Sequence, residues 1–319
     1  MEYASFTNQF IKEMQLSLIP HDITLQRHNV TKNNGVIKDS ITFMSPCITV
    51  SPIFYLENLY ELHKDGYSIN ELVDKTVHNL KSHIENHPEI PDLTTESARE
   101  HLYCTIVNTS SNEEMLKKVP HERLEDLSVV ARFKVGDDGS FLVTHDICKT
   151  LMMTSEEVME AAHANTERQK FRCQSMNEVL REIMLVEGMP ESYADEVTHS
   201  QGEQCPMWVL SNESRIDGAV AMASQDTLKE AHEKLGEDYY ILPSSRHEVI
   251  LVPESVVSSV EDLKSMVHEV NATEVSETDK LSDSVYRFDG KHLSIADAAS
   301  EILSDSLSES VARGHSHSH

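Results

Sequence analysis

The run Leu242-Pro243-Ser244-Ser245-Arg246-His247-Glu248 brings hydroxyls, a guanidinium, an imidazole and a carboxylate together in one short stretch. Those groups suit hydrolysis. His247 would act as general base for Ser244 or Ser245, with Glu248, Asn212 or Arg215 in support. Two features oppose that chemistry. Successive strand residues point to opposite faces, so His247 and Glu248 cannot share a pocket without a bulge. The chain also has no GxSxG elbow and no Ser-x-x-Lys pairing in a known nucleophile arrangement. A turn whose serines hydrogen-bond the backbone accounts for the same residues, and that account is favoured.

Metal chemistry has weaker support. With 18 histidines, chance ligand-like spacings are expected. His83 and His87 stand four apart on a predicted helix and could share one face, as metal ligands do. They also fall in its last turn, where the helix dipole favours histidine, and no third ligand is suggested. His-Glu pairs begin at His121, His232, His247 and His268, but none continues as HExxH. The terminal His315, His317 and His319 can hold a divalent ion weakly, without the preorganisation of a catalytic site. No GxGxxG or GxxxxGK[ST] loop occurs among only 10 glycines, so no nucleotide cofactor is expected.

The charge balance narrows the partners. Asp and Glu number 54 against 27 Lys and Arg, a net of −27 over 319 residues. Such a surface repels phosphate backbones and anionic lipid, so direct nucleic-acid or membrane binding is disfavoured. A basic protein partner, or mimicry of nucleic-acid charge, stays open beside plain solubility. The 5 cysteines are scattered and form no CxxC pair, which points to reduced thiols. No secretory signal is visible, and no apolar run approaches the ~20 residues of a membrane span. A cytoplasmic protein is the expectation.

The elements that would position these groups read as α+β, with mixed or antiparallel sheets, flanking helices and two subdomains. Phe6, Phe10, Met14 and Ile19 predict an opening helix over 4–19. Strands follow from Ile23 to Leu56, turning at Asn33-Asn34-Gly35. Ser68 with Glu71 opens a helix ending before Pro88, and Pro88 to Thr95 reads as a linker. Beyond it come a strand at Tyr103–Val107 and a hairpin around Asp137-Asp138-Gly139. Helices capped by Thr154/Glu157 and Ser175/Glu178 follow, then a polar, loop-like stretch from Gly188 to Cys205. The last region predicts strands at Met207–Leu210 and Ala219–Ala223 and a helix ending at Gly236. A hairpin of Tyr239–Leu242 with His247–Val252 comes next, its second strand central in the sheet. A helix then buries Leu263, Met266 and Val267. The expected divisions are 1–90, 91–290 carrying the main α+β region, and an acidic, Ser-rich, His-ending tail over 291–319 expected to be disordered.

Particular strings go further than pattern. Trp208-Val209-Leu210-Ser211-Asn212-Glu213, Tyr239-Tyr240-Ile241-Leu242-Pro243-Ser244-Ser245, His247-Glu248-Val249 and Val270-Asn271-Ala272-Thr273-Glu274-Val275 resemble a bacterial family known as domain of unknown function 5688. Asn29-Val30-Thr31-Lys32-Asn33-Asn34-Gly35, Pro52-Ile53-Phe54-Tyr55-Leu56-Glu57 and Val285-Tyr286-Arg287 extend the likeness to roughly residues 20–290. The resemblance implies an origin in gut bacteria of the Firmicutes type, with some members near mobile-element genes. It implies no catalytic residues. The leading expectation is a non-catalytic cytoplasmic interaction or regulatory protein. The alternatives are a hydrolase at Pro243–Glu248 and an acidic mimic of nucleic acid.

Overall fold

The computed structural model describes residues 1–46, 51–86, 91–136, 139–200 and 206–296. Helices and three antiparallel sheets make the fold α+β, as the sequence predicts. The chain divides into two compact units, Met1–Leu93 with Lys134–Phe141, and Thr94–Phe133 with Leu142–His319.

In the first unit, α1 (Tyr3–Leu18) buries Phe6, Phe10, Met14 and Leu18. Ile19, expected on that stripe, is 72% exposed. The helical period carries the stripe from Met14 to Leu18, and Ile19 opens a 3-10 turn. Strands β1 (Thr24–Thr31) and β2 (Ile37–Met44) pair antiparallel over Asn33–Gly35. Asn34 (φ 59°) and Gly35 (φ 69°) take the left-handed state there, which these residue types tolerate. The short β3 (Phe54–Tyr55) completes the sheet, and α2 (Leu56–Lys64) and α3 (Ile69–Asn86) follow. Ser68 and Glu71 cap α3 reciprocally, with amide-to-side-chain bonds of 2.8 and 3.3 Å. Phe6, Phe10, Ile41, Phe43, Leu56 and Leu72 form the core. At its rim Asp39 accepts from Arg27 Nε (2.9 Å) and from the Tyr3 hydroxyl (3.0 Å). The Arg27 bond chiefly holds the Asp39 carboxyl below its ordinary pKa.

The second unit begins with α4 (Thr95–His101), β4 (Leu102–Asn108), α5 (Glu113–Leu116), β5 (His121–Leu124) and β6 (Leu127–Val135). These strands lie in the order β4-β6-β5; β6 runs past Phe133 into Lys134–Phe141, the segment grouped with the first unit, which holds most of its partner β7 (Gly139–Leu142). The turn residues Asp137 and Asp138 lie outside the described residues. Next come α6 (His145–Thr150), α7 (Ser155–Glu167), β8 (Phe171–Ser175), α8 (Met176–Val186), α9 (Glu191–Ser200) and β9 (Trp208–Asn212). The capping boxes on α7 and α8 are those the sequence predicts. After α10 (Gln225–Leu235) and β10 (Tyr239–Leu242) come β11 (Val249–Pro253), α11 (Val260–Thr273), β12 (Tyr286–Phe288) and β13 (Leu293–Ile295). The sheet order is β13-β12-β10-β11-β9-β8. β11 is therefore interior, as its apolar faces predict. A carboxylate ties the two sheets of this unit together. Asp126 accepts from Ser282 Oγ (2.6 Å), Ser284 Oγ (3.1 Å) and the buried Tyr286 hydroxyl.

Several expectations are overturned. The polar stretch after Gly188 contains α9. Ala219–Ala223 belongs to a buried 3-10 helix, Gly218–Ala223, and is not a strand. An apolar run buried on every side carries no period to separate the two. Met266 is 41% exposed while Leu263 and Val267 are buried. The stretch from 291 contributes β13, and only residues from 297 onward lie outside the described residues. No helix among the described residues is long and apolar enough to cross a membrane.

The Asp39 cluster carries a pH signature. A carboxyl with a lowered folded pKa stabilises fully above its ordinary value of 3.8, and that contribution disappears as pH falls through the folded value. Asp39→Asn should therefore lower the melting temperature at neutral pH. The gap to the wild type should close on acidification below that value, as followed by circular dichroism.

Candidate functional site

The residues singled out in the sequence surround a buried ion pair. Asp217 has only 5% of its side chain exposed, and Arg246 20%. Arg246 Nε donates to Asp217 Oδ1 at 2.7 Å, and Nη2 reaches the same oxygen. Around this pair the loop between β10 and β11 is fastened by its backbone. The Ala219 amide donates to the Arg246 carbonyl (3.1 Å), the Arg246 amide to Asp279 (2.9 Å), and the Leu281 amide to Ser244 (3.3 Å). These bonds satisfy main-chain groups that a half-buried loop would otherwise leave unpaired.

The hairpin side chains serve the same junction. The Ser245 hydroxyl accepts from the His247 backbone amide at 3.1 Å, so it contacts the main chain and not the imidazole. His247 Nδ1 faces the Asp217 amide at 3.4 Å. An amide can only donate, which makes Nδ1 the acceptor and places the ring proton on Nε2. Nε2 lies 3.5 Å from Asp279 Oδ1. Ser244 enters through its carbonyl. Glu248 is half-buried and lies one residue past His247, just before β11.

Asn212 and Arg215 belong to the adjoining turn. Asn212 Oδ1 accepts from Ser214 Oγ (3.0 Å) and from the Ile216 amide (3.3 Å), while Nδ2 donates to the Ile216 carbonyl (2.8 Å). Within that staple Arg215 (φ 53°) and Asp217 (φ 57°) both adopt left-handed backbone. Aspartate tolerates that state, but arginine rarely adopts it without outside constraint. Next to them Gly218 has no room for a side chain. A Cβ would sit 2.6 Å from the His247 carbonyl and 2.7 Å from the Asn212 amide, and would also strike Ser211 Oγ.

A separate concavity lies where α8 meets the edge of the six-stranded sheet. Its volume is about 440 Å³, with the buried Val209 as its apolar base and the exposed Ile183 and Val186 at its margin. Arg172 pairs with Glu213 (2.9 Å) and Arg215 with Glu182 (2.9 Å) at its rim, and Glu187 adds a third carboxylate. Asn212 and Arg215 line this cleft. Ser244, Ser245, His247 and Glu248 do not. A second hollow of about 320 Å³ includes Phe171, Cys173, Glu230 and Lys234. Burial pushes the Cys173 thiol up to about 11 and the Cys104 thiol up to about 12, and raises Cys148 as well.

The described residues contain no group of three His, Cys, Asp or Glu side chains able to hold a metal ion. His83 sits half-buried in α3. His87, His315, His317 and His319 lie outside the described residues.

A family model described as "Family of unknown function (DUF5688)" matches residues 3–290. The chain belongs to that family. No curated protein and no solved structure matches it. The residues at the centre of this DUF5688 junction, Asp217, Gly218 and Asp279, were not among the sequence candidates. Nothing local in the sequence links Asp217 or Gly218 to Arg246 or Asp279.

Two outcomes follow from this geometry. Gly218→Ala should cost about 1–3 kcal/mol or more in denaturant unfolding, because the clashing atoms are largely backbone. Cys104, Cys148 and Cys173 should resist thiol-specific labelling in the native state at about pH 8. They should label once the chain is unfolded, as read by peptide mass spectrometry.

Proposed function

We propose that this DUF5688 chain is a non-catalytic interaction protein of the bacterial cytoplasm, in a mobile-element setting for some relatives, and that it binds a partner at the α8 cleft. The observation that carries the reading is the position of His247. Its Nδ1 lone pair faces the Asp217 amide and its Nε2–H faces Asp279, so neither ring nitrogen is directed at a serine hydroxyl as general-base catalysis requires. Thiols raised by burial do not supply an alternative nucleophile near neutral pH. The α8 cleft sets a small apolar area, Val209 and Ile183, among charged side chains, Arg172, Arg215, Glu182, Glu187 and Glu213, and so offers both apolar contact and charge to a partner.

A nucleic-acid mimic has less support. Acidic residues alternate with lysines along the helices and turns, as in Glu61–Lys64, Glu114–Lys117 and Glu277–Lys280. That arrangement interrupts the rows of charge that would imitate a phosphate backbone.

The test pairs activity with binding. Purified protein is offered ester, peptide and phosphoester substrates and a fluorophosphonate probe, and in parallel an array of short basic-apolar peptides. The expected result is no turnover or labelling dependent on Ser244 or Ser245, together with peptide binding that Ile183→Arg weakens by about tenfold. Turnover abolished by Ser244→Ala or Ser245→Ala would replace this reading with a hydrolase.

A further inference from the structure

Strand β8 closes one end of the six-stranded sheet, and its outward-facing groups can be identified from the register. The Met176 amide donates to the Met207 carbonyl at 2.9 Å, continuing the β8–β9 ladder that pairs Cys173 with Leu210. Antiparallel pairs alternate between bonded and non-bonded. If Met176 and Met207 are a bonded pair, Cys173 and Leu210 are not, and the Cys173 N–H and C=O point away from β9. Two further contacts agree. The Ser175 amide, also outward, is taken by Glu178 Oε2 at 2.7 Å. The Cys173 carbonyl is taken by Lys234 Nζ at 2.6 Å, whose ammonium also lies 5.1 Å from the Trp208 ring centroid.

The faces of the same strand open into the two hollows. Arg172 and Gln174 line the α8 cleft with their cross-strand partners Ser211 and Val209, whereas Phe171, Cys173 and the latter's partner Leu210 line only the hollow beside α10, which Arg172 and Gln174 also border. A peptide laid along β8 would thus send alternate side chains into opposite concavities, which is how strand addition obtains specificity.

We propose that the edge of β8 receives an extended, basic segment of a partner protein, added as a further antiparallel or parallel strand. This rests on the reading above that the protein is a binding module, and adds the mode and the partner's chemistry. Charge selects the occupant. The chain carries −27 overall, and the α8 cleft sets Glu182, Glu187 and Glu213 against Arg172 and Arg215. Lysine or arginine beside aliphatic residues complements that lining. The chain's own residues 297–319 carry Asp297, Glu301, Asp305 and Glu309 against Arg313, and match it poorly. Lys234 acts as a latch. It occupies the carbonyl that an incoming amide needs, and a lysine so placed also discourages edge-to-edge self-association.

The test uses the full chain and a display library of peptides of about six residues alternating aliphatic and basic side chains. The best binder is measured by fluorescence polarisation. N-methylation at every second peptide amide should weaken it about tenfold, with the intervening amides tolerant. Lys234→Met, which keeps the stem and removes the ammonium, should tighten binding severalfold. Binding blocked by Ile183→Arg but lacking the alternating methylation pattern, or indifferent to Lys234→Met, would overturn strand addition and leave the binding reading intact. Absence of any binder would remove both. Deletion of 297–319 that raises affinity more than about tenfold would assign the edge to the chain's own tail, and self-association of Lys234→Met without peptide binding would assign it to a second copy.

Discussion

The buried pair of Asp217 and Arg246 is the constraint on which the rest of this site depends. A nearly inaccessible carboxylate is tolerable in a protein interior only with a cation beside it. Arg246 is brought there by the loop between β10 and β11, and Asp217 by the turn after β9. The pair therefore fixes how two segments 29 residues apart meet. Gly218 must follow Asp217 because the His247 carbonyl and the Asn212 amide approach too closely for a Cβ. His247 is placed by the Asp217 amide and Asp279. The left-handed backbone at Arg215, rare for that residue type, is held by the Asn212 bonds to Ile216.

From that constraint follows a division of labour within the second unit. The polar residues of the hairpin are engaged in joining strands and loops, their donors and acceptors meeting the main chain and the carboxylates of Asp217 and Asp279. The groups with room around them lie instead at α8 and the edge of the sheet, where Arg172 and Arg215 each meet a glutamate beside Val209. A junction that must hold a buried charge in place suits a fixed scaffold. A short edge strand flanked by hollows on both faces suits recognition.

How much of this was legible depended on the range of each interaction. Local signals read well. The caps at Ser68, Thr154 and Ser175, the Asn33-Asn34-Gly35 turn, the Gly236 helix stop and the apolar β11 all act over a few residues. Elements set by tertiary context read poorly. Gly218–Ala223 is an apolar run buried on every side, without period, and only its surroundings make it helical. α9 is polar over much of its length and lies in a stretch that reads as loop. At the site, the serines and the histidine drew attention because their types suggest hydrolysis, yet the partners that define His247 are 30 and 32 residues away, at Asp217 and Asp279. Long-range pairing of that kind leaves no mark in spacing. The cleft was equally hidden, since Asn212 and Arg215 were singled out as companions of a serine and line a different concavity.

The most direct measurement is a double-mutant cycle across the pair, with Asp217→Asn, Arg246→Gln and the combined variant compared by denaturant unfolding. If the pair organises the junction, each single variant costs about 3–5 kcal/mol, and the two are coupled by about 2–3 kcal/mol. Additive losses, with coupling within about 0.5 kcal/mol of zero, would mean that the segments meet without it and would contradict the account.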